Sequence, residues 1–213
     1  MFQELSILCF FILLSTFSFA ETNITLKKEL LEMAVEDQRV RKLLIKSGCD
    51  NNNFQKKLLE KINKVDKKNT ARLKSILKEY SWPTKDSVGA EGMSAIFLII
   101  QHSPDYVFKE RALYALKKLY LNGDGITGQE IALLTDRLLI HQGKKQIFGT
   151  QADIIDSRVV LKPIQDKANV DKRRKEMGML SLSEYVKIVE KLYGVKKSIS
   201  HGRRCGTTIS GDS

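Results

Sequence analysis

The chain has 213 residues, 42% of them hydrophobic, and a formal charge of +11. That apolar content is enough for a buried core and excludes a chain disordered throughout. The basic excess favours anionic partners in general. However, Lys27, Lys28, Lys56, Lys57, Lys67 and Lys68 alternate with Asp and Glu as solvated helix faces do, which argues against nucleic acid.

Residues 1–20 read as a signal peptide. The apolar stretch from Leu5 to Phe19 falls short of the about 20 residues a membrane span needs. Ser18 and Ala20 form a cleavage site of the A-x-A type, and polar Glu21, Thr22 and Asn23 follow. Glu4 stands where a Lys or Arg is usual in such leaders. Cys9, preceded by Ser6, Ile7 and Leu8, is a poor lipid-attachment signal. The leader predicts an exported protein, periplasmic or secreted, with no stable membrane span after cleavage. Losing Glu4 with it raises the formal charge from +11 to about +12. Two cysteines would remain, Cys49 and Cys205, and an oxidising compartment would let them pair, although spacing leaves the pairing open. Asn23-Ile24-Thr25 fits the N-glycosylation triplet, which matters only in a eukaryotic secretory pathway.

Residues 21–194 read as one mainly α-helical domain. Leu26, Leu30, Met33, Ala34, Val40, Leu43 and Leu44 recur at helical spacing up to Lys46, and Ser47-Gly48 stops the run. A second helix carries Phe54, Leu58, Leu59, Ile62 and Val65, then continues or restarts through Leu73, Ile76 and Leu77. Trp82-Pro83 breaks it, because the residue before proline avoids the helical region. Asp86 or Ser87 is expected to cap a third helix through Met93, Ala95, Ile96, Phe97, Leu98, Ile99 and Ile100. That run is apolar on every side, so it predicts the central buried helix, ending at Gln101-His102-Ser103-Pro104. Asp105 opens a fourth helix, and Asn122 to Gly125 form a turn. Thr127 caps a fifth helix with Glu130 three residues on, a capping box.

Beyond Gly143 the pattern changes. Gln146 to Thr150 and Arg158 to Ile164 look extended and predict a small β-hairpin within 146–164, turning at Asp156-Ser157. Short helices are expected near 170–177 and 182–193, followed by a disordered basic tail over 195–213.

The candidate chemistry lies where polar groups interrupt apolar runs. Gln101 and His102 end the all-apolar helix, where an unpartnered polar group costs about 1–3 kcal/mol. His102 reads either as a cap on helix carbonyls or as a general acid or base. Asp136 and Arg137 interrupt Ala132, Leu133, Leu134, Leu138, Leu139 and Ile140, so the charges need partners. Arg137 reads as an anchor for a carboxylate or phosphate, or as the partner of a carboxylate such as Asp37. In the stretch 143–151, Gln146, Thr150 and Gln151 offer neutral hydrogen bonds, suited to a polar ligand or to pinning a loop. Its glycines do not have phosphate-loop spacing. The turn at Asn122 is no calcium loop, since Tyr120 and Ile131 would fall on the first and last ligand positions. The pattern predicts no metal cluster, no cofactor and no catalytic cysteine.

An ordered set of short motifs runs through the chain. Asp37-Gln38 with Arg41 comes first, then Asn69-Thr70-Ala71-Arg72-Leu73, Trp82-Pro83 and Val88-Gly89. Gln101-His102, Asp136-Arg137, and Gln146 with Gly149-Thr150-Gln151 come next. Pro163-Ile164 and Val170-Asp171 with Arg173-Arg174 close the set. Taken in order, they resemble a bacterial family known only as a domain of unknown function, over about residues 26–190. The resemblance implies a shared fold and origin and supplies no reaction. The chain departs from the family pattern at Ser103-Pro104, where members often carry an Asp soon after the Gln-His pair, and at Lys109, near which members tend to carry Gln.

Three functions follow as expectations. The first is a module binding a polar or anionic small molecule, or a protein partner, through Gln101, His102, Asp136, Arg137, Gln146, Thr150 and Gln151. The second is a hydrolase-like enzyme with His102 as acid/base and Arg137 stabilising an anion. The third is a structural domain in which the same groups form a buried polar network.

Overall fold

The computed structural model describes residues 2–47, 53–155, 158–193 and 207–208, with side chains over 24–47, 53–155 and 158–193. The leader's side chains, the Cys49–Cys205 pairing and the turn at Asp156-Ser157 lie outside these residues. The chain is mainly α-helical. Five helices come first: α1 (Phe2–Lys46), α2 (Asn53–Tyr80), α3 (Lys85–His102), α4 (Tyr106–Leu121) and α5 (Gly128–His141). An antiparallel hairpin of β1 (Ala152–Ile155) and β2 (Arg158–Leu161) follows, then α6 (Val170–Glu176) and α7 (Leu182–Leu192). Among the described residues no helix is long and apolar enough to cross a membrane.

The all-apolar third run is the axis of the fold, because a helix without a polar face must be covered on every side. α3 packs against α1, α2, α4 and α5. Met93, Ile96, Ile99 and Ile100 are at most 2% exposed. Each stabilises the fold by about 1.5–3 kcal/mol relative to leaving it in water. Leu26 and Leu30 of α1, Leu73 and Ile76 of α2, Ala112 and Leu116 of α4, and Leu134 and Leu138 of α5 close around it. Asp37 lies on the same buried face of α1 and is 1% exposed, so a charge enters the helix packing there and needs partners.

One helix start differs from the sequence expectation. Thr84, not Asp86 or Ser87, caps α3: its hydroxyl accepts from the Ser87 amide while the Ser87 hydroxyl accepts from the Thr84 amide. A serine at the third position completes the reciprocal pair that Glu or Gln usually makes. α2 runs unbroken to Tyr80. The cap of α5 is as expected, with Thr127 and Glu130 bonded reciprocally. Thr127→Ala is expected to cost about 1 kcal/mol, read as a lower urea midpoint at unchanged m-value.

The hairpin is present, but its first strand starts later than the sequence suggests. Gln146 makes only a single bridge to Ile164, and Ala152 pairs with Leu161 to open the ladder. Residues 147–150 belong to a loop drawn inward by charged side chains, so they do not join the ladder. β3, the two residues Thr207–Thr208 from the stretch read as tail, pairs antiparallel with β1 at Asp153 and Ile154.

Candidate functional site

The polar residues singled out in the sequence fall into two neighbouring groups, with Asp136 and Arg137, consecutive on α5, turned to different ones.

The first network ties α1, α2 and α3 together at one end. Helical spacing puts Asp37 and Arg41 on one face of α1, and the last turn of α3 brings His102 against them. His102 Nδ1 lies 3.0 Å from each Asp37 carboxylate oxygen. Arg41 Nη1 lies 3.2 Å from Asp37 Oδ1, while its Nη2 donates to both oxygens of Asp66 on α2 at 2.9 and 2.8 Å. Asp37, which the sequence offered as a partner for Arg137, therefore meets His102 and Arg41. The His102 side chain is 18% exposed, and its Nε2 has no protein partner among the described residues.

The charge states follow from this packing. Burial pulls His102 down to about 4; the hydrogen bond to Asp37 opposes that, and the charges of Arg41 and Arg137 reinforce it. Burial works against the Asp37 anion too, but the bond from His102 and the charge of Arg41 hold its carboxyl below the usual range. Asp66 is pushed up, first by burial and then by the neighbouring Asp37, although Arg41 pulls it back. At neutral pH His102 is thus a neutral imidazole that donates Nδ1–H to a carboxylate and keeps a lone pair on Nε2.

A pH dependence of stability follows with a fixed sign. Unfolded His102 protonates near its ordinary 6.5, and the folded side chain only near 4. Between these values the unfolded chain binds more protons, so stability falls as pH drops through that window. The loss is expected to be about 3 kcal/mol at pH 4. Chemical denaturation in steps from pH 7 to pH 4 measures it, and His102→Gln should flatten the slope.

Gln101, one residue earlier, faces α5. With its amide oxygen turned inward it accepts from Arg137 Nε at 2.8 Å and Nη2 at 3.0 Å. The Arg137 charge is felt by His102 on one side and by the half-buried Tyr185 and Tyr193 on the other. It therefore stands between the helical core and the C-terminal elements.

The second network pins residues 146–151. Asp136 is fully buried. Its Oδ1 accepts from the Ile147 and Phe148 amides at 2.7 and 3.1 Å. Its Oδ2 accepts from the Phe148 and Thr150 amides at 3.2 and 3.0 Å and from the Thr150 hydroxyl at 3.0 Å. Gln146, also fully buried, donates to the Gln151 and Lys162 carbonyls and accepts from the Gln151 amide at 2.8 Å. Gln151 Nε2 donates to the Thr150 hydroxyl. Two arginines of α6 take the carbonyls of the same loop: Arg173 Nε donates to Ile147 O at 3.0 Å, and Arg174 Nη1 to Phe148 O at 2.7 Å. Asp136, Gln146 and Thr150 thus make hydrogen bonds to the chain itself.

Sequence reasoning left Asp66 unremarked, and gave Arg41, Arg173 and Arg174 only as motif letters. Asp66 sits in a lysine-rich stretch that reads as a solvated face, so nothing marked it as buried. Two surface depressions lie elsewhere. One runs along α1 beside Lys27, Leu31 and Val35, and the other lies between Thr127 and Met177. Among the described residues no group of three His, Cys, Asp or Glu side chains is placed to hold a metal ion.

A family model described as a family of unknown function, DUF6624, matches residues 24–198. No curated protein matches the chain, and no solved structure does.

Proposed function

The chain belongs to DUF6624, a family of unknown function, and we propose from the geometry that it binds a small polar or anionic substrate at His102 and uses the Asp37–His102 pair for acid–base catalysis of its hydrolysis. One observation carries this reading. A buried carboxylate lies 3.0 Å from Nδ1 of a neutral imidazole, which leaves Nε2 directed away from the pair. A histidine that merely caps a helix would spend a nitrogen on its carbonyls. Here the ring is oriented as a base by a carboxylate, as in hydrolases where such a pair fixes the tautomer.

His102 Nε2 takes the proton of an attacking water and later returns it to the leaving group. Asp37 stabilises the imidazolium formed in between. The positive charge of Arg137, which bears on the ring, favours a substrate that is anionic or that gathers negative charge as the water attacks. Export through the leader belongs to the same proposal and predicts a mature product, periplasmic or secreted, beginning at Glu21, read by N-terminal sequencing.

The test is turnover of p-nitrophenyl acetate and p-nitrophenyl phosphate, alongside thermal shift with phosphate and small carboxylates. The expected result is turnover, or a rise in Tm, that His102→Ala and Asp37→Asn abolish while both variants stay folded. Wild-type protein inert to the whole panel, or variants indistinguishable from it, would sink the proposal. A structural reading is favoured for the second network alone, where Asp136 accepts five hydrogen-bond contacts from 147–150.

A further inference from the structure

The Asp37–His102 pair does not stand alone, and what surrounds it bears on how it works. Asp37 is 1% exposed and has three cationic or proton-donating neighbours, His102, Arg41 and Gln38, whose Nε2 donates to Oδ2 at 2.9 Å. Arg41 is 20% exposed and Asp66 11%. The guanidinium is anchored by both oxygens of Asp66 through Nη2, so Nη1 is left facing Asp37 at 3.2 Å. Nη1 is also a buried nitrogen that completes no well-directed hydrogen bond. Arg41 thus neutralises Asp37 by its charge without taking the carboxylate oxygens that His102 uses.

We propose that Arg41 and Asp66 are positioning residues: Asp66 holds Arg41 back, so that Asp37 keeps its oxygens for His102, which retains its proton on Nδ1 and presents Nε2 to the substrate. This deepens the acid–base reading and rests on it for its functional meaning. The arrangement has a chemical logic. A guanidinium released from Asp66 has a full fork of donors and would form a bidentate pair with Asp37. His102 would then lose its acceptor, and the proton would move to Nε2, the nitrogen that must be empty for a base. The charged groups that bear on the ring are Asp37 and Arg41 from α1 and Arg137 from α5; Asp66 of α2 acts on it through Arg41 and Asp37.

The test is nitrogen-15 NMR of the histidine side chains in the full chain, in wild type, Asp66→Asn, Arg41→Met and Arg41→Lys. At pH 8 the wild-type ring should be the Nδ1–H tautomer; Asp66→Asn should shift it toward Nε2–H, whereas Arg41→Met, which leaves no guanidinium to compete for Asp37, should keep it. The protonation midpoints should move in opposite directions. Arg41→Met removes a cation and should raise the His102 midpoint by roughly one pH unit. Asp66→Asn removes an anion and should lower it. Arg41→Lys keeps the charge and should hold the midpoint near the wild-type value. Opposed shifts of this kind do not arise from general loosening of the fold. If Arg41→Met fails to fold, Asp66→Asn alone decides: a folded Asp66→Asn protein with unchanged tautomer and midpoint overturns the proposal. The readout needs no turnover, so an inert substrate panel leaves it standing, and an unchanged tautomer leaves the activity of His102 to its own test.

Discussion

Asp136→Asn is expected to lower the free energy of unfolding by about 4 kcal/mol, the largest effect of any single substitution considered for this fold. The substitution is nearly isosteric, so packing barely changes and the loss is electrostatic. An Asn at this place keeps one acceptor oxygen and turns an NH2 group toward donors. If the oxygen stays with Ile147 and Phe148, the Thr150 amide and hydroxyl face a donor; in the other orientation the Ile147 amide does. Each buried amide without an acceptor costs about 1–3 kcal/mol, and a bond to a charged acceptor contributes more than one to a neutral acceptor. Urea unfolding at neutral pH, with an unchanged m-value, measures the loss. A drop below about 1 kcal/mol would mean that the loop amides find water instead of the carboxylate.

Arg174→Met is expected to cost about 3 kcal/mol by the same measurement. The arginine is 1% exposed, a rare degree of burial for a guanidinium. Nε donates to Leu180 O and Nη1 to Phe148 O, both at 2.7 Å, while the guanidinium carbon lies 5.0 Å from the centre of the Tyr185 ring. Methionine fills much of the stem volume but donates nothing, so two carbonyls lose their partners. Arg174→Lys should recover only part of the loss, because one ammonium cannot reproduce a planar fork that serves two carbonyls in fixed directions.

The helices could be read from the sequence wherever one physical cause decided them. The all-apolar run of α3 could only be central. Thr127 with Glu130 could only begin a helix, since that pair satisfies two amides at once. The cap of α3 was misplaced because Ser87 does there what a Glu normally does, and that pattern is weak in a single sequence. The start of β1 was missed for a different reason. Residues 147–150 have strand-like composition, but the amides of Ile147, Phe148 and Thr150 belong to Asp136, and that competition is visible only once α5 and the loop are side by side. The candidate site divided in the same way. His102 and Arg137 stood out because polarity at the end of, or inside, an apolar run needs an explanation. Asp66 did not, because a carboxylate among lysines has a sufficient local explanation, and its true partner is 25 positions away in sequence.

Ile147 and Phe148 carry a further implication. Each passes its N–H to Asp136 on α5 and its C=O to an arginine on α6. An anion and two cations are therefore neutralised through backbone peptide groups. Neither side can be inherited separately: a chain ending at Gly143 would strand a carboxylate in its core, and one beginning beyond the loop would strand two guanidiniums. The hairpin and the last two helices are thus no accessory to the helical core, and natural or engineered recombination within the domain has no safe crossover between α5 and α6.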